Sequence, residues 1–176
     1  MLGKNSEYNG KMRVSFDLDE VLFVSPTDHK TEKELIFPLN HIFQERLRLG
    51  TRYLIPELRR QGYEVWVYTT SFRTEQYIRW LFRLYGVKFD GIVNGQRHSE
   101  EIQGRHSYPM PNKLPNFYRI SLHIDDEEVV ATYGKTYGFE VYQLDAQDDD
   151  WAEKIINYAN MIKAKKNQEE KLRNDN

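Results

Sequence analysis

The chain has 176 residues, 39% apolar and 14% aromatic, with a net charge of −2, which suits a single domain with its own core. That charge excludes a generally basic coat for nucleic acid, though not a local patch, and the absence of cysteine excludes disulfides and thiolate metal sites. No apolar run reaches membrane-spanning length and no signal-like segment opens the chain, so a cytoplasmic protein with no membrane partner is expected.

Residues 1–10 are polar and predict a flexible N-terminus, followed by one domain over 11–162. Met12 to Phe16 reads as a strand, ending in Asp17-Leu18-Asp19-Glu20. Thr51 to Arg60 reads as a helix stopped by Gly62, and Val65 to Tyr68 as the next strand. Thr74 to Tyr85 carries Tyr77, Ile78, Leu81, Phe82 and Tyr85 at helical spacing and closes on Gly86. Strands are predicted at Phe89 to Val93, Ile120 to Ile124 and Phe139 to Leu144, with a helix from Glu127 to Tyr137 ended by Gly138. Asp148 to Asp150 opens a last helix whose inward stripe is Trp151, Ile155, Ile156, Ala159 and Ile162. Residues 163–176 are nearly all charged or amide and predict a polar tail that frays or extends a solvated helix. Alternating strand and helix predicts an α/β fold: a three-layer, Rossmann-like parallel sheet with helices on both faces.

Ligands of such sheets bind at the carboxyl ends of the strands, where the informative residues fall. On a strand Asp17 and Asp19 point the same way. Two like charges side by side call for a neutraliser, most often a divalent metal. Thr69-Thr70-Ser71 follow the second strand and Asp125-Asp126 the fourth, while Lys113 precedes the fourth in a proline-marked loop. Acids to hold a metal, with a lysine and a hydroxyl for equatorial phosphate oxygens, are what magnesium-assisted phosphoryl transfer needs. Asp125-Asp126 read alone are better taken as a cap of the helix beginning at Glu127, and Lys88, just before the third strand, is an alternative lysine. His123, Trp66 and Trp80 read as core residues.

These four segments resemble, in order, the motifs of the haloacid dehalogenase (HAD) superfamily of phosphohydrolases, over Met12 to Ala159. Asp17-Leu18-Asp19-Glu20-Val21 matches the first motif, Val65 to Thr69 the second, Lys113 the third and Leu122 to Asp126 the fourth. Glu20 stands where many members carry glycine. The resemblance implies that Asp17 is the nucleophile forming an aspartyl-phosphate and Asp19 the general acid and base. It also implies that Thr69 and Lys113 are catalytic, and that Asp17, Asp19 (through its backbone carbonyl), Asp125 and Asp126 hold Mg2+.

The interval from Asp17 to Thr69 has room for a hairpin-like flap around residues 25–40 but not for an independent cap, and that from Thr69 to Lys113 leaves only a loop from Gly95 to Asn112. An open, capless site is therefore expected. Arg73 and Thr70 are candidate substrate contacts, with Arg97, His98, Arg105, His106 and Tyr108 in the second interval as further candidates. The expected function is a magnesium-dependent phosphomonoester phosphatase. A nucleotide or polynucleotide-end phosphatase and a non-catalytic phosphate-binding module are the alternatives. The expected partner is a phosphorylated small molecule or macromolecular end, with nucleic acid weakly supported and a homo-oligomer open.

Overall fold

A computed structural model describes residues 10–174; the remainder of the expected flexible N-terminus, residues 1–9, lies outside the described residues. Strands β1 (Arg13–Phe16), β2 (Glu64–Tyr68), β3 (Gly91–Val93), β4 (Ile120–Asp125) and β5 (Glu140–Gln143) form one sheet in the order β3-β2-β1-β4-β5. Every pairing is parallel. The fold is thus the expected three-layer, Rossmann-like α/β type. Its first strand sits at the centre and is buried throughout, as strands covered on both faces are.

Period-two alternation sorts the strand residues between two cores. Val14, Phe16, Val65, Val67, Leu122 and Ile124 join the larger one, together with α2 (Thr51–Arg60), α3 (Glu75–Leu84) and α6 (Trp151–Asn174). Trp66, Tyr68, Val93 and Ile120 belong to the smaller one with Ile102 and Tyr118. The chain winds outward from β1 in one direction and from β4 in the other, so right-handed crossovers put helices on opposite faces. The reversal between β1 and β4 is the switch point at which such sheets open a ligand crevice.

Local signals explain the ends of the elements. The Thr74 side chain accepts from the Tyr77 amide at the start of α3, an N-cap. Gly138 closes α5 (Glu128–Tyr137) at φ 75°, a left-handed conformation that favours glycine. Helix α2 begins at Gly50 and is capped from a distance, because Glu32 accepts from the amides of Gly50 and Arg52. The polar tail continues α6 as helix to Asn174, one of the two expected behaviours.

Two expectations are corrected. Part of the predicted loop after Gly95 is helix α4 (Gly95–Glu101), capped by Asn94 accepting from the Arg97 amide, with a 3-10 turn at Gln103–Arg105. Trp80 is 51% exposed rather than in the core, because it lies off the Tyr77, Ile78, Leu81, Phe82 stripe that α3 turns inward. Between β1 and α2 the chain makes a two-limbed excursion. Bridges Phe23 to Leu47 and Thr31 to Arg48 join its limbs, and it contains only a one-turn helix α1 (Leu39–Ile42).

Candidate active site

Strands β1, β2 and β4 deliver their last residues to one place, at the switch point. Asp17 continues β1 by donating its amide to the Ile124 carbonyl at 3.0 Å. Its carboxylate is fixed at both oxygens: Leu18 N–H donates to Oδ1 at 2.7 Å and Lys113 Nζ to Oδ2 at 2.7 Å. The same ammonium donates to Asp125 Oδ2 at 2.5 Å. Lys113 is 1% exposed and Asp125 fully buried, so this is a desolvated cation held between two anions. Burial pushes the Lys113 ammonium down, but Asp17 and Asp125 more than offset it, and the net direction is up.

Asp125 carries the densest set of donors. Besides Lys113, His123 faces Oδ2 at 2.8 Å and Glu127 N–H donates to Oδ1 at 3.0 Å. Burial alone would raise the Asp125 carboxyl; His123 and then Lys113 reverse that and hold it at about 2. Asp125 therefore organises a turn before α5, while α5 itself starts at Glu127 without a side-chain cap. His123 is buried as expected but is more than packing. Two residues before Asp125 on β4, it shares Asp125's face of the strand, and its Nδ1 lies 2.8 Å from Ser15 Oγ. A carboxylate only accepts hydrogen bonds, so the His123 Nε2 must donate to it.

Asp126 differs. Among the described residues no side chain donates to its carboxylate. Its pKa is raised, first by burial and then by Asp125, Asp17 and Glu127. Asp17, Asp125 and Asp126 each offer an oxygen, and the three lie within 4.8 Å of one another. Three carboxylates against one ammonium leave two negative charges uncompensated, which a divalent cation matches in charge. The donors are all oxygens, the set magnesium takes, and opposite ligands of such ions stand roughly 4–5 Å apart. The residues present fit Mg2+.

Asp19 stands apart from this trio. Its carboxylate is 52% exposed and pairs with Arg73 Nη1 at 2.9 Å; the expected metal contact of Asp19 is its backbone carbonyl, which this pairing leaves untouched. Arg73 also bonds Ser71 Oγ and Glu45, and Glu45 in turn accepts from Tyr77 OH at 2.5 Å. Arg73, expected to contact substrate, is thus held over the site between an acid of the first loop and an acid of the long excursion.

Thr69 is buried at the end of β2, and its Oγ1 accepts from Ser71 N–H at 3.1 Å, leaving the hydroxyl proton to donate elsewhere. Thr70 is exposed, and its carbonyl runs against Gly95, where an added Cβ would meet it at 2.4 Å. Asn94 Nδ2 ties down the carbonyl of Arg73 at 3.0 Å. The loop carrying Thr69, Thr70 and Arg73 is therefore backed by the start of α4.

Of the candidates in the second interval, Arg97 and His98 face inward. Arg97 bonds Glu101 and the Ile92 carbonyl, and His98 is buried against Tyr68. His106 is bound to the Ile102 carbonyl, while Arg105 and Tyr108 remain exposed. Arg48 has no motif to mark it. Buried, it donates to the carbonyls of Glu20, Val21 and Ala146 and so pins the loop after Asp19. Glu20 itself has a φ of 59°, a left-handed position that glycine would hold without strain.

Neither a protein-family model nor a curated protein matches the sequence. Among solved structures, the chain is similar to a HAD-like family hydrolase of Porphyromonas gingivalis (15% identity, 80% of this chain and 94% of that one, TM-score 0.46). It is similar to a HAD-superfamily hydrolase of Geobacter sulfurreducens (14%, 74% and 88%, 0.47). A third is a HAD family enzyme of Bacteroides thetaiotaomicron, in complex with magnesium and inorganic phosphate (13%, 80% and 96%, 0.46). No described helix is long and apolar enough to cross a membrane.

Proposed function

We propose that the chain is a HAD-type, magnesium-dependent phosphatase acting on phosphomonoesters through an aspartyl-phosphate on Asp17. One observation carries the reading: Lys113 bridges Asp17 and Asp125 in a desolvated lattice beside Asp126, at the carboxyl ends of the central strands. A carboxylate held at both oxygens by Leu18 N–H and Lys113 is oriented for in-line attack, which orientation makes far faster.

In the first step an oxygen of Asp17 attacks phosphorus, the bond to the leaving oxygen breaks, and Asp19 gives that oxygen a proton. In the second, Asp19 takes a proton from water, the water oxygen attacks phosphorus, and Asp17 is released with inorganic phosphate. Lys113 and the free proton of Thr69 face the charge on the phosphoryl oxygens. Arg73 holds Asp19 in the substrate-free arrangement; an incoming phosphate competes for its guanidinium, and Asp19 is then free to carry the proton. Asp17, Asp125 and Asp126 would hold Mg2+, with the Asp19 carbonyl as a fourth donor, and the ion would neutralise charge on the transferring group.

With Asp19 exposed, the site is open to a phosphomonoester on a small molecule or a macromolecular end. Hydrolysis of an aryl phosphate with magnesium is the direct test, and Asp17→Asn should abolish it. Asp19→Asn should keep phosphate binding while losing turnover. An inactive wild type, or an Asp17→Asn that turns over normally, would overturn the reading. A panel of sugar phosphates, nucleotides, phosphopeptides and phosphorylated oligonucleotides then assigns the substrate.

A further inference from the structure

The Lys113 ammonium is fixed by two carboxylates, but its backbone lies in an irregular segment between the 3-10 turns at Gln103–Arg105 and Pro115–Tyr118. Two buried residues from other elements hold that segment. Tyr68, the last residue of β2, has its hydroxyl 2.6 Å from His98 Nδ1 in α4, and the same oxygen accepts from Leu114 N–H at 2.8 Å. The anchored residue, Leu114, directly follows Lys113 in the chain.

Leu114 N–H donates to the phenol oxygen, which leaves the phenol's own proton to donate to a bare His98 Nδ1 2.6 Å away, the arrangement in which a neutral imidazole carries its proton on Nε2. Burial lowers the His98 pKa, in the same sense. Tyr68 also immediately precedes Thr69, so one strand end sets both the hydroxyl and the lysine of the site.

We propose that Tyr68, its hydroxyl aimed by the bare Nδ1 of His98, is a positioning residue that clamps the backbone next to Lys113 and thereby sets where its ammonium stands relative to Asp17. The catalytic part of this inference rests on the phosphatase reading; the clamp itself does not. Tyr68→Phe keeps the ring packed on His98, Tyr118 and His123 and removes only the hydroxyl. It should speed hydrogen exchange of the Leu114 amide at least tenfold while the β4 amides stay as they are, and lower kcat about 10- to 100-fold, the cost of a small displacement of a catalytic group. His98→Asn keeps an acceptor for Tyr68 on a shorter side chain, and should lie between wild type and Tyr68→Phe in kcat. The double variant should be no worse than Tyr68→Phe, because the residues act as a unit.

Imidazole 15N shifts of the wild type read the tautomer without any substitution, so the test survives a variant that does not fold. Protonated Nδ1 with bare Nε2 overturns the clamp. So does an unchanged Leu114 exchange rate, or an active wild type whose kcat is untouched in Tyr68→Phe. An inactive wild type whose Leu114 amide is loosened by Tyr68→Phe overturns the phosphatase reading and upholds the clamp.

Discussion

Replacing Lys113 by methionine removes the cation from between two buried acids and keeps the length of the side chain. Losing one partner of a buried ion pair typically costs about 3–5 kcal/mol, because the remaining charge is left desolvated. For a domain of this size that is a fall in melting temperature of roughly 6–20 °C. The site gives an independent check on the scale. Asp125 is held at about 2 against an ordinary 3.8, and a shift of that size is worth about 2 kcal/mol at neutral pH, shared between His123 and Lys113. The sign with pH follows. A depressed carboxyl stabilises the fold above its ordinary range, and that contribution is lost as pH falls through about 2. In the variant the carboxylates keep their burial but lose the ammonium, so their penalty is largest near pH 7 and shrinks as they take up protons towards pH 4. Urea unfolding of wild type and Lys113→Met, both in EDTA so that no metal substitutes for the ammonium, measures the gap at the two values. A gap below about 1 kcal/mol at pH 7, or one that does not narrow at pH 4, would refute the account of Lys113 as the counter-charge of the site.

Magnesium should raise the unfolding midpoint of the wild type by mass action, about 2.7 kcal/mol at 100 times its dissociation constant, and Asp126→Asn should remove most of that gain; calorimetric titration with the metal alone checks it. Arg73→Ala should cost about 1–2 kcal/mol, since it loses partly exposed pairs with both Asp19 and Glu45, yet lower kcat/KM for an aryl phosphate at least tenfold; urea titration beside steady-state kinetics separates the two. Gly95→Val should destabilise by about 1–3 kcal/mol, because its Cβ would collide with the Thr70 carbonyl. It should also raise the inhibition constant of inorganic phosphate as the Thr69–Arg73 loop is displaced.

The acids were legible in the sequence because polar residues at the ends of apolar strands break period two. The order of the family's motifs, which the chain resembles, separates Lys113 from Lys88. His123 does carry a signal: its spacing of two from Asp125 puts both on one face of β4, where a buried imidazole beside a carboxylate makes a bond. Arg48 left none, since its carbonyl partners at Glu20, Val21 and Ala146 are brought to it only by the tertiary fold. Helix α4 was missed for a different reason. Gly95–Glu101 has no apolar stripe, and its inward residue is His98, polar but satisfied by Tyr68. The Arg73–Asp19 pair has no sequence signal, because the excursion that supplies Glu45 has no periodicity to place it.

The central position of β1 bears on how this protein is made. Arg13 pairs with Glu64 on one side and Ile120 on the other, so the strand that carries Asp17 is synthesised before both its neighbours and is flanked on both sides only once β4 has emerged. A ribosome releases the N-terminal segments first, and a nascent chain that ends before residue 113 has the first acids without the lysine or the acids of β4. Burying Asp17 before then would leave it without a counter-charge, so the incomplete chain gains nothing by closing its crevice. Ladders between strands this distant in sequence also form slowly. Chains truncated before residue 113 should therefore lack the cluster of Asp17, Lys113, Asp125 and Asp126 altogether.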